Sequence, residues 1–383
     1  MSFESIIENN KAWIDNTWKN LDDKLSRIAI KSRYKIPYTT ENGEHNDFSK
    51  GKNIIYWTNG FWGGLMWQMY VGTKKECYKT TAEESEKMLD RAFEYLDCLD
   101  HDVGFMWSLT SGVNYSLTGN RSSKNRTLLA AMSLMSRYNV DGNYIRCWND
   151  RKSDDVKGWS IIDCMMNLPL LYWASREIND ERFTRVAMRH ADMTMRDHVR
   201  ADGSVNHIIV HDTEKADTVL GVKAGQGYAP DSCWSRGASW ALYGFTLSYI
   251  HTKKQDYLDT AKRVADYFIK ETEKTAWLPL LDFRQPEKPL YYDSTAGAIA
   301  SCGLIELAKL VQDSKEQEKY LTAAINILQA MEKNWCDWTD KDDSVLQMGS
   351  MMYECEQHVN IIYGDYFFAE AMLKLKGTDF LAW

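Results

Sequence analysis

The chain has 383 residues, 44% of them hydrophobic, which is enough for two or three ordinary domains or one large repetitive one. A net charge of −8 with no Lys/Arg stripe to offset it argues against nucleic acid and against a long polyanion across the surface, while a small anion meeting a local cation stays possible. The start, MSFESIIENNKAWIDNTW, lacks the basic and apolar regions of a signal peptide, no apolar run reaches the ~18–20 residues that span a bilayer, and the 8 cysteines show neither C-x-x-C pairs nor zinc spacing. The expectation is a soluble cytoplasmic protein with reduced thiols, no metal centre and no membrane partner.

In chain order, a first helix is read over 7–28, followed by an array in which a helix with little charge precedes a charged one. GFWGGLMWQMY leads into TKKECYKTTAEESEKML (73–89), and SKNRTLLAAMSLMSRY (123–138) supplies the helix of a further unit. MMNLPLLYWA leads into INDERFTRVAMRHADMTM (178–195), GASWALYGFTLSYI into TKKQDYLDTAKRVADYF (252–268), and AGAIASCGLIELAKL into SKEQEKYLTAAINILQA (314–330). The first members, rich in Gly, Ala, Trp and Tyr, are expected inside; the second carry a charged face and are expected outside. A period of roughly 50–70 residues implies a helical array. An open solenoid needs polar caps, whereas the last helix, DYFFAEAMLKL, is still apolar. The array therefore reads as a closed ring of six hairpins, an all-α (α/α)6 toroid forming one domain over 1–383, with only 6 prolines and no linker. Short strands such as GSVNHIIV (203–210) and WLPLLDF (277–283) are placed on its rim.

The rim loops hold the chemistry. LDHDVGFMW carries His101 and Asp102; YIRCWND carries Trp148; GWSIID ends in Asp163; DGSVNHIIVHD holds His207; and GQGYAPDSCWSRGASW holds Gln226, Arg236 and Trp240. Carboxylates, imidazoles, an arginine and stacking aromatics suit acid–base work on an anionic sugar. Each also has a plainer reading. Asp163 before an apolar run is a good helix N-cap. His101-Asp102 fits a turn, His207 a structural histidine, and Arg236 a buried ion-pair partner. Trp57, Trp62, Trp148 and Trp240 at helix starts fit core packing. No G-x-S-x-G, phosphate loop or dinucleotide fingerprint is present.

YWTNGFWGGLMW, HDVGFMW, IIDCMMNLPLLYWA, DGSVNH, GQGYAPDSCWSRGASWALYGF and YGDYFFAEAML, in this order, resemble the unsaturated glucuronyl hydrolases of glycoside hydrolase family 88, from about residue 50 to the C-terminus. The resemblance implies the same (α/α)6 barrel, no cofactor and no metal. Its substrate class is a small oligosaccharide from a glycosaminoglycan lyase, bearing a 4,5-unsaturated uronic acid at its non-reducing end. The double bond is hydrated, a proton going to C4 and water to C5, and the hemiketal then opens and releases the sugar. On this likeness Asp163 is the acid/base and Asp102 assists. Gln226 and Arg236 meet the uronate carboxylate, His101 and His207 line the pocket, Trp148 and Trp240 stack on sugars, and Trp57 walls the first subsite. An apolar helix start and a second carboxylate would raise the pKa of Asp163. The Ser/Lys cluster that some members carry before GDY for 6-sulfated substrates is not found in GSMMYECEQHVNIIYGDY, where Glu354 and Glu356 would repel a sulfate. Three rivals remain: a family 105-type unsaturated rhamnogalacturonyl hydrolase, an α/α-barrel sugar epimerase using His207 and His358, and a non-catalytic oligosaccharide binder.

Overall fold

A computed structural model describes residues 1–150 and 155–383. Helix α1 (Phe3–Lys31) is capped by Ser2, whose side chain accepts from Ser5 N–H. The helices that follow are α2 (Phe61–Thr73), α3 (Glu76–Leu89), α4 (Val103–Trp107), α5 (Val113–Thr118), α6 (Arg121–Ser136), α7 (Leu168–Ile178) and α8 (Glu181–Asp197). Then come α9 (Ser235–Thr252), α10 (Gln255–Glu273), α11 (Ser294–Leu310), α12 (Ser314–Trp335) and α13 (Ile362–Leu375). A π-helical turn, Ser108–Gly112, joins α4 to α5 into one bent inner segment.

Around the ring, α2 packs on α13, α13 on α11, α11 on α9 and α9 on α7, while α4 bridges α7 to the start of α2. The outer layer is α1, α3, α6, α8, α10 and α12, each packed against an inner helix. Among the described residues this is a closed all-α (α/α)6 barrel. The chemistry of the two layers explains the sorting. Every residue of α13 is buried, and so is every residue of α11 from Ser294 to Ala308, whereas α8 buries one stripe, including Phe183, Val186, Ala187 and Ala191, and leaves charges outside. One contiguous hydrophobic cluster runs from Ile6 to Trp383.

Strands are short: β1 (Thr40–Glu41), β2 (Glu44–His45), β3 (Tyr138–Asn139), β4 (Tyr144–Ile145), β5 (Trp159–Ile161), β6 (Ile208–His211) and β7 (Val219–Lys223). The last three form an antiparallel sheet in the order β5-β6-β7, with Ile161 opposite Ile208 and Ile208 opposite Lys223. The sequence segment 203–210 thus supplies most of β6, while 277–283 makes only single bridges, Leu280 with Tyr292 and Asp282 with Trp234. No helix among the described residues is long and apolar enough to cross a membrane, and all eight cysteines are free.

Candidate active site

The loops that precede the inner helices surround a cavity of about 610 Å³, a volume that suits a small oligosaccharide. Asp102 and Asp163 lie in its wall with His101, and Trp57, Trp148 and Gln226 also line it. The backbone sets this convergence: Cys147 N–H bonds Trp159 O at 3.0 Å, Ile162 N–H bonds His207 O at 3.0 Å, and His101 N–H bonds Cys147 O at 3.2 Å. Asn167, unnoticed in the sequence, ties the two acidic loops together. Its Oδ1 accepts from Phe105 N–H at 2.9 Å, and its Nδ2 donates to Asp102 Oδ1 at 3.2 Å and Asp163 O at 3.4 Å. A Cβ on Gly104 would meet that Oδ1 at 2.4 Å, so the approach requires glycine. The only signal for Asn167 was an amide inside an otherwise apolar run.

Each carboxylate faces a histidine. His207 Nε2 stands 3.4 Å from Asp163 Oδ2, and His101 Nε2 stands 3.2 Å from Asp102 Oδ1. Among the described residues His101 Nε2, His207 Nε2 and Asp163 Oδ2 are buried without a well-aligned hydrogen bond, and of their residues His101 and Asp163 line the cavity. His207 Nδ1 lies between a donor, Gln226 N–H at 3.0 Å, and an acceptor, Ala224 O at 2.9 Å. Nδ1 therefore finds a partner whether or not it carries hydrogen, and the Nε2 edge of the ring faces Asp163. Gly225, at φ +58°, allows this turn; a Cβ there would lie 2.2 Å from His207 Nδ1.

The electrostatics differ from expectation. Burial pushes Asp163 up, but the hydrogen bond and charge of His207, then the charges of His101 and Arg236, outweigh it and hold the carboxyl below its ordinary value. Asp102 goes the other way: burial, then the charges of Asp100 and Asp163, raise it well above the usual carboxylate range. Burial lowers His101. The two carboxyls are thus pushed apart, Asp102 toward holding a proton and Asp163 toward ionising. Nor is Asp163 a cap. It sits in the first turn of the 3-10 helix Ile162–Met166, whose N-cap is Ile161, and makes no capping bond.

Three expected contacts, Arg236, Trp240 and His207, fall outside the cavity lining. Arg236 does not line the cavity; it is fully buried, its Nη1 2.6 Å from Asp293 Oδ2, and it donates to Ser350 O and, at 2.6 Å, to Met351 O. Its guanidinium stacks on Trp234 at 4.4 Å. It therefore braces the wall formed by Met351 and Met352 and leaves no fork open to a substrate carboxylate. Gln226 Nε2 donates to the same Met351 O at 3.0 Å. Trp240 is fully buried against Phe105 and Phe367, a core residue. His207 lies behind Asp163, outside the cavity lining, and His358 is spent accepting from Tyr292 N–H at 3.0 Å. The cavity adds residues not anticipated: Lys52, Tyr56, Asp100, Trp159 and Lys223. Asp100, His101 and Asp102 place ligand-type atoms within 4.8 Å of one another. His101 Nδ1 is already turned to Cys147 O at 3.0 Å, and burial disfavours the ionised Asp102 that a cation needs, so that trio is a poor cation cage.

A closed α/α barrel whose cavity sets two carboxylates among histidines and tryptophans defines a glycoside hydrolase. The sequence profile of Glycosyl Hydrolase Family 88 matches residues 30–348, and the chain belongs to that family. It is 34% identical over 331 residues to the unsaturated glucuronyl hydrolase of Bacillus sp. (strain GL1), covering 84% of this chain and 86% of that one. It is 30% identical over 363 residues to the unsaturated chondroitin disaccharide hydrolase of Streptococcus pyogenes serotype M1, covering 92% and 90%. The crystal structure of the Bacillus sp. GL1 enzyme, described as responsible for the degradation of glycosaminoglycan, matches with a TM-score of 0.87 at 30% identity, over 94% of this chain and 97% of that one.

Proposed function

We propose that the protein releases the 4,5-unsaturated uronic acid from the non-reducing end of lyase-generated glycosaminoglycan oligosaccharides by hydrating the C4=C5 bond. The observation that carries the reading is the pair of buried carboxyls at one cavity, Asp102 and Asp163, each facing a histidine and shifted in opposite directions. Hydration of an enol ether needs both a proton for C4 and a base for the water that adds at C5.

On this reading the pair shares one proton, which the opposed shifts favour on Asp102 in the free protein. A substrate brings its own carboxylate into the cavity, and that negative charge raises both acids. Asp163, losing its preference for the ionised form, takes up the proton and delivers it to C4. As carboxylate again, it accepts a proton from the water that forms the C5–O bond, with His207 Nε2–H steadying the charge. The hemiketal at C5 then opens, breaking the ring C–O bond, and the glycosidic link to the rest of the sugar is released. Trp57 and Trp148 offer apolar faces to the sugars. Arg236 and Gln226 act as positioning residues that fix the Met351 wall.

We also read the chain as one domain, supported by the unbroken core, and as cytoplasmic, supported by eight free thiols. The test is a panel of lyase-generated disaccharides followed by loss of the ultraviolet absorbance of the conjugated enoate. Turnover of at least one panel member supports the reading. Binding without any loss of absorbance overturns it.

A further inference from the structure

The cavity carries two cations that the proposed hydration does not use. Lys223 ends β7, opposite Ile208, the residue that follows His207 and opens β6; Lys52 lies in the 3-10 turn Gly51–Ile55, before α2. Both line the cavity and both side chains are exposed, whereas Asp102 and Asp163 are only 8% and 9% exposed. The acids therefore form the floor and the lysines the mouth. Lys223 Nζ sits 4.7 Å above the Trp159 ring, whose edge meets Trp148 at 6.1 Å, so its charge is held against an aromatic platform inside the cavity outline. Neither lysine has a carboxylate partner among the described residues.

A solvated surface lysine normally finds an acid or points to bulk water; here two of them line a cavity that also holds acids, and neither pairs with one among the described residues. With the unsaturated ring at the floor, the sugar that leaves must extend past Trp148 and Trp159 to the mouth. We propose that Lys223, seconded by Lys52, reads an anionic substituent, a sulfate or sulfamate, on the leaving sugar. This rests on the hydration reading above. It also moves anion recognition away from the segment before α13, which contributes only Met351 and Met352 to the lining and keeps Glu356 bonded to Tyr38 OH at 2.6 Å.

The experiment compares two unsaturated disaccharides that differ only by a sulfate on the leaving amino sugar, followed by loss of enoate absorbance. The readout is the ratio of their kcat/KM values in the wild type, Lys223→Met, Lys52→Met, the double variant and Lys223→Arg. Wild type is expected to favour the sulfated member. Lys223→Met is expected to lower the ratio about tenfold, equivalent to about 1.4 kcal/mol, Lys52→Met less, the double variant most, and Lys223→Arg little. Raised ionic strength should shrink the wild-type ratio, because a mouth contact is screened. A ratio that stays put in Lys223→Met, including the case where both substrates fall together, overturns the assignment. A wild type that prefers the unsulfated member overturns it too. A wild type that turns over neither disaccharide fails the hydration reading itself, a different and separately visible result.

Discussion

His101 Nδ1 lies 3.0 Å from the Cys147 carbonyl, while its Nε2 lies 3.2 Å from Asp102 Oδ1. A carbonyl only accepts, so Nδ1 carries the hydrogen and the neutral ring turns a lone pair toward Asp102. Two acceptors at that distance repel unless the carboxyl brings the proton. The tautomer favoured by one backbone oxygen thus agrees with the burial that raises Asp102, and both favour a proton on the carboxyl at position 102.

Removing that acid changes the pH profile. Asp102→Asn keeps the shape and the Asn167 contact but takes away the group that stores the shared proton beside Asp163. The rate should fall, and the alkaline limb of kcat against pH should move to lower pH, since Asp163 alone, held low by His207, loses its proton sooner. An unmoved limb in the folded variant would sever the link between the two carboxyls.

Asp163→Asn should abolish turnover. General acid–base catalysis contributes about 10²–10⁴-fold for each proton transfer, and this group serves both. Substrate binding should persist, seen as a calorimetric signal with unsaturated disaccharide and no loss of absorbance. A folded Asp163→Asn enzyme with wild-type kcat would remove the residue from the mechanism.

Arg236 should report on stability before it reports on KM. Truncating one partner of a buried ion pair leaves the other charge stranded, at about 3–5 kcal/mol. Arg236→Met should lower the denaturant midpoint sharply, Arg236→Lys should restore little because it lacks the fork to Asp293, Ser350 and Met351, and Arg236→Met with Asp293→Leu should recover part of the loss. A fully stable Arg236→Met with only KM raised would return the residue to the substrate carboxylate.

Acid should unfold the protein through its histidines. Burial lowers His198 and His251 from 6.5 to about 3, and His45 and His211 from 6.5 to about 4. Below pH 6.5 the unfolded chain binds protons that the folded one refuses, so each such group removes about 1.4 kcal/mol per pH unit until its folded value is reached. Above 6.5 these groups have no effect. Asp365, pushed up to about 6 by burial, and Asp102 offset part of this. The remaining loss by about pH 5 is a large share of an ordinary stability of about 5–15 kcal/mol. Urea midpoints measured from pH 7.5 to about pH 5 should fall steadily; a flat profile would contradict the burial of these rings.

The ring was legible because its two layers differ chemically: GASWALYGFTLSYI has no face to give to water, while INDERFTRVAMRHADMTM has one. Asp102, Asp163 and His101 were legible through motif likeness. What the sequence hid was pairing between distant segments. His207 meets Asp163 through strand register, and a histidine in one loop does not announce which acid it will face. An apolar helix start therefore suggested a raised Asp163, where the facing imidazole reverses the sign. Arg236 reads as a ligand-binding arginine until Asp293, at the cap of another helix, claims it.

The barrel closes where α13 meets α2, elements from opposite ends of the chain. Neighbouring hairpins can form from local contacts while the chain is still being made, but this seam waits for the final helix and bears the largest loop-closure entropy of the fold. Until it shuts, the apolar flanks of α2 and α11 stand bare, in search of a partner. The slowest and most aggregation-exposed moment of folding is then the last one, and overproduction at low temperature, or with a chaperone that shields that seam, should raise the soluble yield.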